Sequence, residues 1–61
     1  MPLVQIEILK GRTLQQKREM VKQVTDVLVD TIQCKRDAVT IVIREMEQEN
    51  LAKAGVLHSD M

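Results

Sequence analysis

Between Leu3 and Leu9 the chain alternates, with Val4, Ile6 and Ile8 on one side and Gln5 and Glu7 on the other. A period of two predicts a strand over 3–9 with one buried face. Lys10-Gly11-Arg12 breaks the alternation, with Gly11 as the turn residue. Thr13 stands three residues before Gln16, the spacing of a capping box. A helix is expected from there to about Gln33. Leu14, Met20, Val21, Val24, Val27, Leu28 and Ile32 recur at steps of three and four and form its apolar stripe. Lys17, Arg18, Lys22, Asp26 and Asp30 are expected on the wet side. Cys34 to Asp37 is a polar connection, and residues 38–46 read as a second strand. Val39, Ile41 and Ile43 share one of its faces; Thr40, Val42 and Arg44 share the other. After the polar stretch Glu47 to Asn50, residues 51–57 form a short hairpin or an extra strand.

Strand, helix and strand in this order predict an α/β fold, a single βαβ unit over residues 1–61. A crossover of helix length implies parallel, right-handed pairing. The helix is expected to cover Val4, Ile6, Ile8, Val39, Ile41 and Ile43. Leu3, Leu9 and Val42 then lie on a face with no cover, and a two-stranded sheet is barely stable alone. A second subunit is expected to cover that face.

Size supports this expectation. The chain has 61 residues, and a domain this short buries only roughly 60% of the surface its unfolded form exposes. Such domains are usually reinforced by disulfides, a metal or oligomerisation. One cysteine, Cys34, excludes an internal disulfide, and one histidine, His58, excludes the usual closed zinc sites. Oligomerisation remains. The formal net charge is zero and the chain has no Phe, Tyr or Trp. With neither a basic stripe nor a stacking aromatic, nucleic-acid binding is not expected. No apolar run approaches the roughly 18 residues of a membrane span. No signal-peptide pattern opens the chain, so a reduced, cytoplasmic compartment is the default expectation.

Little in the chain offers chemistry. Cys34 reads as a packed or surface thiol, His58 as a tail residue, and the four methionines as packing. Gly11 and Gly55 are isolated and build no phosphate loop. Glu45, Glu47 and Glu49 read as a solvated run. The start is different. Met before Pro is a context in which the initiator is normally removed, which would leave Pro2 with a secondary amine. An α-amino group titrates near about 7.7–8.0 when unperturbed. Partial burial or a nearby cation disfavours its protonated form, and a neutral amine near physiological pH can serve as a general base.

The run P-L-V-Q-I-E-I-L-K-G-R-T at 2–13 resembles the opening of the 4-oxalocrotonate tautomerase family. Gln16-Lys17, V-T-D-V at 24–27, I-V-I-R-E-M at 41–46, A-K-A-G at 52–55 and S-D-M at 59–61 continue the resemblance over nearly the whole chain. It implies a tautomerase-like βαβ unit with a C-terminal hairpin. Sheets would pair between subunits, and the homo-oligomer would be a hexamer, a trimer of dimers. It further implies an isomerase without cofactor or metal. Its amino-terminal proline would move a proton between the hydroxyl of a dienol and a carbon of the conjugated chain. The substrate would be a small enol or 2-oxo acid such as 2-hydroxymuconate, from aromatic-ring breakdown.

By this resemblance Pro2 is the general base, and Arg12 binds a substrate carboxylate. A planar guanidinium grips a carboxylate with two hydrogen bonds and draws electron density along the conjugated system. Thr40 stands where the family has a second arginine, supplied by a neighbouring subunit. Arg44 shares its face but lies about 13 Å along the strand; Arg36 is the other candidate stand-in. Leu51 matches the family's hydrophobic wall residue. The missing arginine predicts slower turnover than in dedicated pathway enzymes, on 2-hydroxymuconate or a simpler enol such as phenylenolpyruvate. Two other readings stay open. One is hydration or dehalogenation of a small unsaturated acid at the same proline. The other is an oligomeric module without activity if Met1 is retained, since Pro2 nitrogen would then be a non-basic amide.

Overall fold

A computed structural model describes all 61 residues. Strand β1 spans Leu3–Leu9, helix α1 Leu14–Ile32 and strand β2 Thr40–Met46; two short strands, β3 (Ala52–Lys53) and β4 (Val56–Leu57), follow. β1 and β2 pair in parallel, with Leu3 opposite Thr40 and Leu9 opposite Met46. β3 and β4 make a separate antiparallel hairpin. The open choice for the C-terminal segment resolves as this hairpin. Its turn, Ala54-Gly55, has positive φ at both residues (54° and 80°), the signature of a type I′ connection. Glycine meets that demand without cost, whereas Ala54 carries a Cβ into left-handed backbone.

The capping box forms as the spacing predicts. Gln16 N–H donates to Thr13 Oγ1 (3.1 Å), and Thr13 N–H donates to Gln16 Oε1 (2.9 Å). Gln33 ends the helix in left-handed conformation. The second strand starts two residues later than expected. Ala38 and Val39 instead donate to Lys35 O (3.0 Å) and Arg36 O (3.2 Å) in a tight turn, so their N–H groups do not enter the ladder.

The register sorts the strand residues. Val4, Ile6 and Ile8 pair with Ile41, Ile43 and Glu45, and this face lies under α1. The stripe on α1 is narrower than its periodicity suggests. Met20, Val21, Val24 and Leu28 are half-buried, but Leu14, Val27 and Ile32 are 58–61% exposed. Leu14 and Ile32 stand at the two ends of the helix. Lys17, expected on the wet side, turns under the helix and donates to Glu45 (2.6 Å), with side chains 25% and 33% exposed. Glu45 and Glu47 are therefore not a free solvated run; Glu47 accepts from Lys10 (3.0 Å).

No residue of the isolated chain is buried. The molecule measures 43 × 24 × 14 Å, and its radius of gyration is 14.7 Å, against about 10.5 Å for a compact domain of this length. A flat unit of this size without a closed core is marginal by itself. No helix is long and apolar enough to cross a membrane.

Candidate active site

β1 and β2 begin side by side, and this common start holds Pro2. Thr40 N–H donates to the Pro2 carbonyl oxygen (3.0 Å), so the first ladder bond fixes the backbone immediately after the Pro2 nitrogen. Pro2 is half-buried, whereas Met1 is 87% exposed and lies outside the strand. In this chain Met1 acylates Pro2 nitrogen. Its removal would take no hydrogen bond from the ladder.

Arg12 is at the other end of the unit. It follows the Lys10-Gly11 turn, where Lys10 N–H donates to Met46 O (2.8 Å) and closes the ladder. Gly11 takes φ 131°, which an L side chain rarely adopts. Arg12, Gln16 and Lys17 line a groove of about 250 Å³ with Ile8 and Met20 as apolar floor. The Arg12 side chain has no ion-pair partner in the chain. Leu51 belongs to this end too, beyond β2. It accepts a hydrogen bond from His58 N–H (2.7 Å) and lines a second groove with Ala52, Lys53, His58 and Met61.

The chain thus brings Pro2 and Thr40 together at one end and sends Arg12 and Leu51 to the other. The seven residues of β1 separate the two groups, which is about 23 Å at 3.3 Å per residue. Within one subunit Pro2 and Arg12 cannot act on the same small molecule. Thr40, opposite Leu3, presents its side chain on the face away from α1.

Neither candidate stand-in arginine is placed to replace the missing one: Arg36 is tied to α1, and Arg44 lies about 13 Å along β2 from Thr40. Arg36 Nη1 donates to Asp26 Oδ1 (2.7 Å), and Arg44 Nη1 donates to Gln5 Oε1 (3.1 Å). Asp26, expected on the wet side, ties the 33–39 connection back to α1. The Arg36 hydrogen bond, with Lys22 adding to it, holds the Asp26 carboxyl below its usual range. A depressed carboxyl adds stability above its unfolded pKa and loses it as pH falls through the lower, folded value. The gap in melting temperature between wild type and Asp26→Asn should be full at pH 7 and close as pH falls below about 4. Thermal melts at pH 7 and pH 3 measure it; a gap of equal size at both would contradict the pairing.

No three His, Cys, Asp or Glu side chains converge to hold a metal ion. Cys34 is half-buried after the helix end and unpaired.

Residues 2–61 match the family model described as tautomerase enzyme. The chain is similar to a 2-hydroxymuconate tautomerase of Bacillus subtilis, at 38% identity over 61 residues, covering 100% of this chain and 98% of that protein. Its fold superposes on a crystal structure of a 4-oxalocrotonate tautomerase homologue with a TM-score of 0.94, at 37% identity over 98% of each chain. It is also similar to a 4-oxalocrotonate tautomerase isozyme from Methylibium petroleiphilum, with a TM-score of 0.91 at 36% identity, over 95% of this chain and 91% of that one.

Proposed function

This chain belongs to the tautomerase family, and from that premise we propose that it interconverts enol and keto forms of a small unsaturated 2-oxo acid, with Pro2 as general base. The observation that carries the reading is the anchoring of Pro2. Its carbonyl is fixed by Thr40 N–H at the head of the sheet, and its nitrogen is the one strand-terminal group that processing would turn into an amine.

The site is shared between copies. Pro2 comes from one copy, and Arg12 and Leu51 from a second lying antiparallel beside it, so that opposite ends of the unit meet. A hexamer built as a trimer of dimers satisfies this arrangement and brings in Thr40 from the exposed sheet face of a further copy. Arg12 binds the substrate carboxylate and holds the conjugated chain over Pro2. The Pro2 amine takes the proton from the dienol oxygen, and the negative charge spreads along the conjugated chain. The resulting ammonium returns the proton to a distal carbon, and the product is an α,β-unsaturated ketone. The Arg12 cation and the apolar Leu51 wall both disfavour the protonated amine, which keeps the base neutral. No cofactor enters the cycle.

Thr40 offers a neutral hydroxyl, Arg36 is held by Asp26, and Arg44 lies about 13 Å along β2 from Thr40. The site therefore supplies one free guanidinium. A second substrate carboxylate gains little here, so kcat/KM for phenylenolpyruvate, with one carboxylate, is expected within about tenfold of that for 2-hydroxymuconate, a difference of at most about 1.4 kcal/mol. Ketonisation of both, followed by absorbance, tests this. Turnover of neither would overturn the assignment, and a preference of more than a hundredfold for the dicarboxylate would overturn the role given to Thr40.

A further inference from the structure

The sheet face away from α1 carries four register pairs: Leu3 with Thr40, Gln5 with Val42, Glu7 with Arg44 and Leu9 with Met46. Apolar side chains stand at both ends, and a charge of each sign stands between them. Arg44 and Glu7 are direct neighbours, yet they do not pair. Arg44 gives one N–H to Gln5 (3.1 Å), and Glu7 makes no hydrogen bond or ion pair within the chain. A guanidinium has five N–H groups, so most of its donors are unspent.

The chain buries no residue by itself, and its second sheet face is continuous and partly apolar. The surface also complements itself in charge, one cation beside one anion, which suits another copy of the same chain better than an acidic or a basic partner. Once covered, Glu7 and Arg44 lose water. A dehydrated charge without a partner is strongly unfavourable, and an unpaired one within the chain must find its partner across the interface. We propose that Glu7 of one copy pairs with Arg44 of another across this face, and that this reciprocal pair fixes how copies register in the assembly. Leu3, Val42, Leu9 and Met46 supply area, while the charges set orientation and exclude partners with like charges at these positions.

Charge reversal tests the pairing by mass, independently of whether Pro2 is the base. Glu7→Arg makes the face wholly cationic, and Arg44→Glu makes it wholly anionic. Native mass spectrometry and analytical ultracentrifugation should find each variant alone in species smaller than wild type. Neither chain can repair itself internally, because each carries two like charges at the two positions. Refolded together in equal amounts, the two should form mixed assemblies of wild-type size containing both masses. The double variant, Glu7→Arg with Arg44→Glu, should also recover wild-type size. Wild-type size for either single variant alone would overturn the proposal, as would failure of both the mixture and the double variant to recover it.

Discussion

Replacing Pro2 by Ala should lower kcat/KM for enol ketonisation by about 10²- to 10⁴-fold, the usual contribution of a positioned general base. Alanine still presents an amine when Met1 is removed, so the reaction type survives and the loss lies towards the lower end. What alanine lacks is the ring. Proline locks φ near about −65° and ties the nitrogen to the strand, whereas an alanine amine rotates about its own bond. The ladder bond from Thr40 N–H to the Pro2 carbonyl (3.0 Å) remains available to alanine, so the fold should not change. Unaltered kcat/KM with an unaltered fold would contradict the contribution given to the proline ring.

Arg12→Ala should cost on the order of 10²-fold in kcat/KM, as for loss of one preorganised donor to a developing anion. Its sharper consequence concerns where the site lies. Pro2 and Arg12 of one chain are separated by the full length of β1, so the proposed site requires the two groups to come from two copies. Pro2→Ala and Arg12→Ala chains should each be nearly inactive alone. Refolded together in equal amounts, they should place an intact Pro2 beside an intact Arg12 in about a quarter of sites. Activity should rise to about that share of wild type. If the mixture stays at the level of its components, the site is complete within one chain.

The local features of this fold were legible in sequence because short-range patterns determine them. The alternation of Val4, Ile6 and Ile8 sets β1, and the Thr13–Gln16 spacing sets the helix start, which forms with both reciprocal hydrogen bonds. Periodicity could not show how far the sheet extends under the helix. Leu14 and Ile32 fit the stripe but stand at the helix ends and remain exposed, as does Val27. It could not show that Lys17 bends under the helix to Glu45, or that Arg36 is held by Asp26, since these pairs join residues far apart in sequence. Pro2, Arg12, Thr40 and Leu51 were readable as candidates one at a time. Their division between the two ends of the sheet was not, because it follows from the parallel register and the direction of the crossover.

The amine itself can be tested most directly by comparing intact mass with turnover in one series of preparations. Varying the extent of initiator removal gives samples in which between none and all of the chains begin at Pro2. The predicted result is kcat that rises in proportion to the processed fraction and falls to background when every chain keeps Met1, because acylated Pro2 nitrogen has no basic lone pair. Full turnover from chains that all retain Met1 would contradict the assignment of Pro2 as the base.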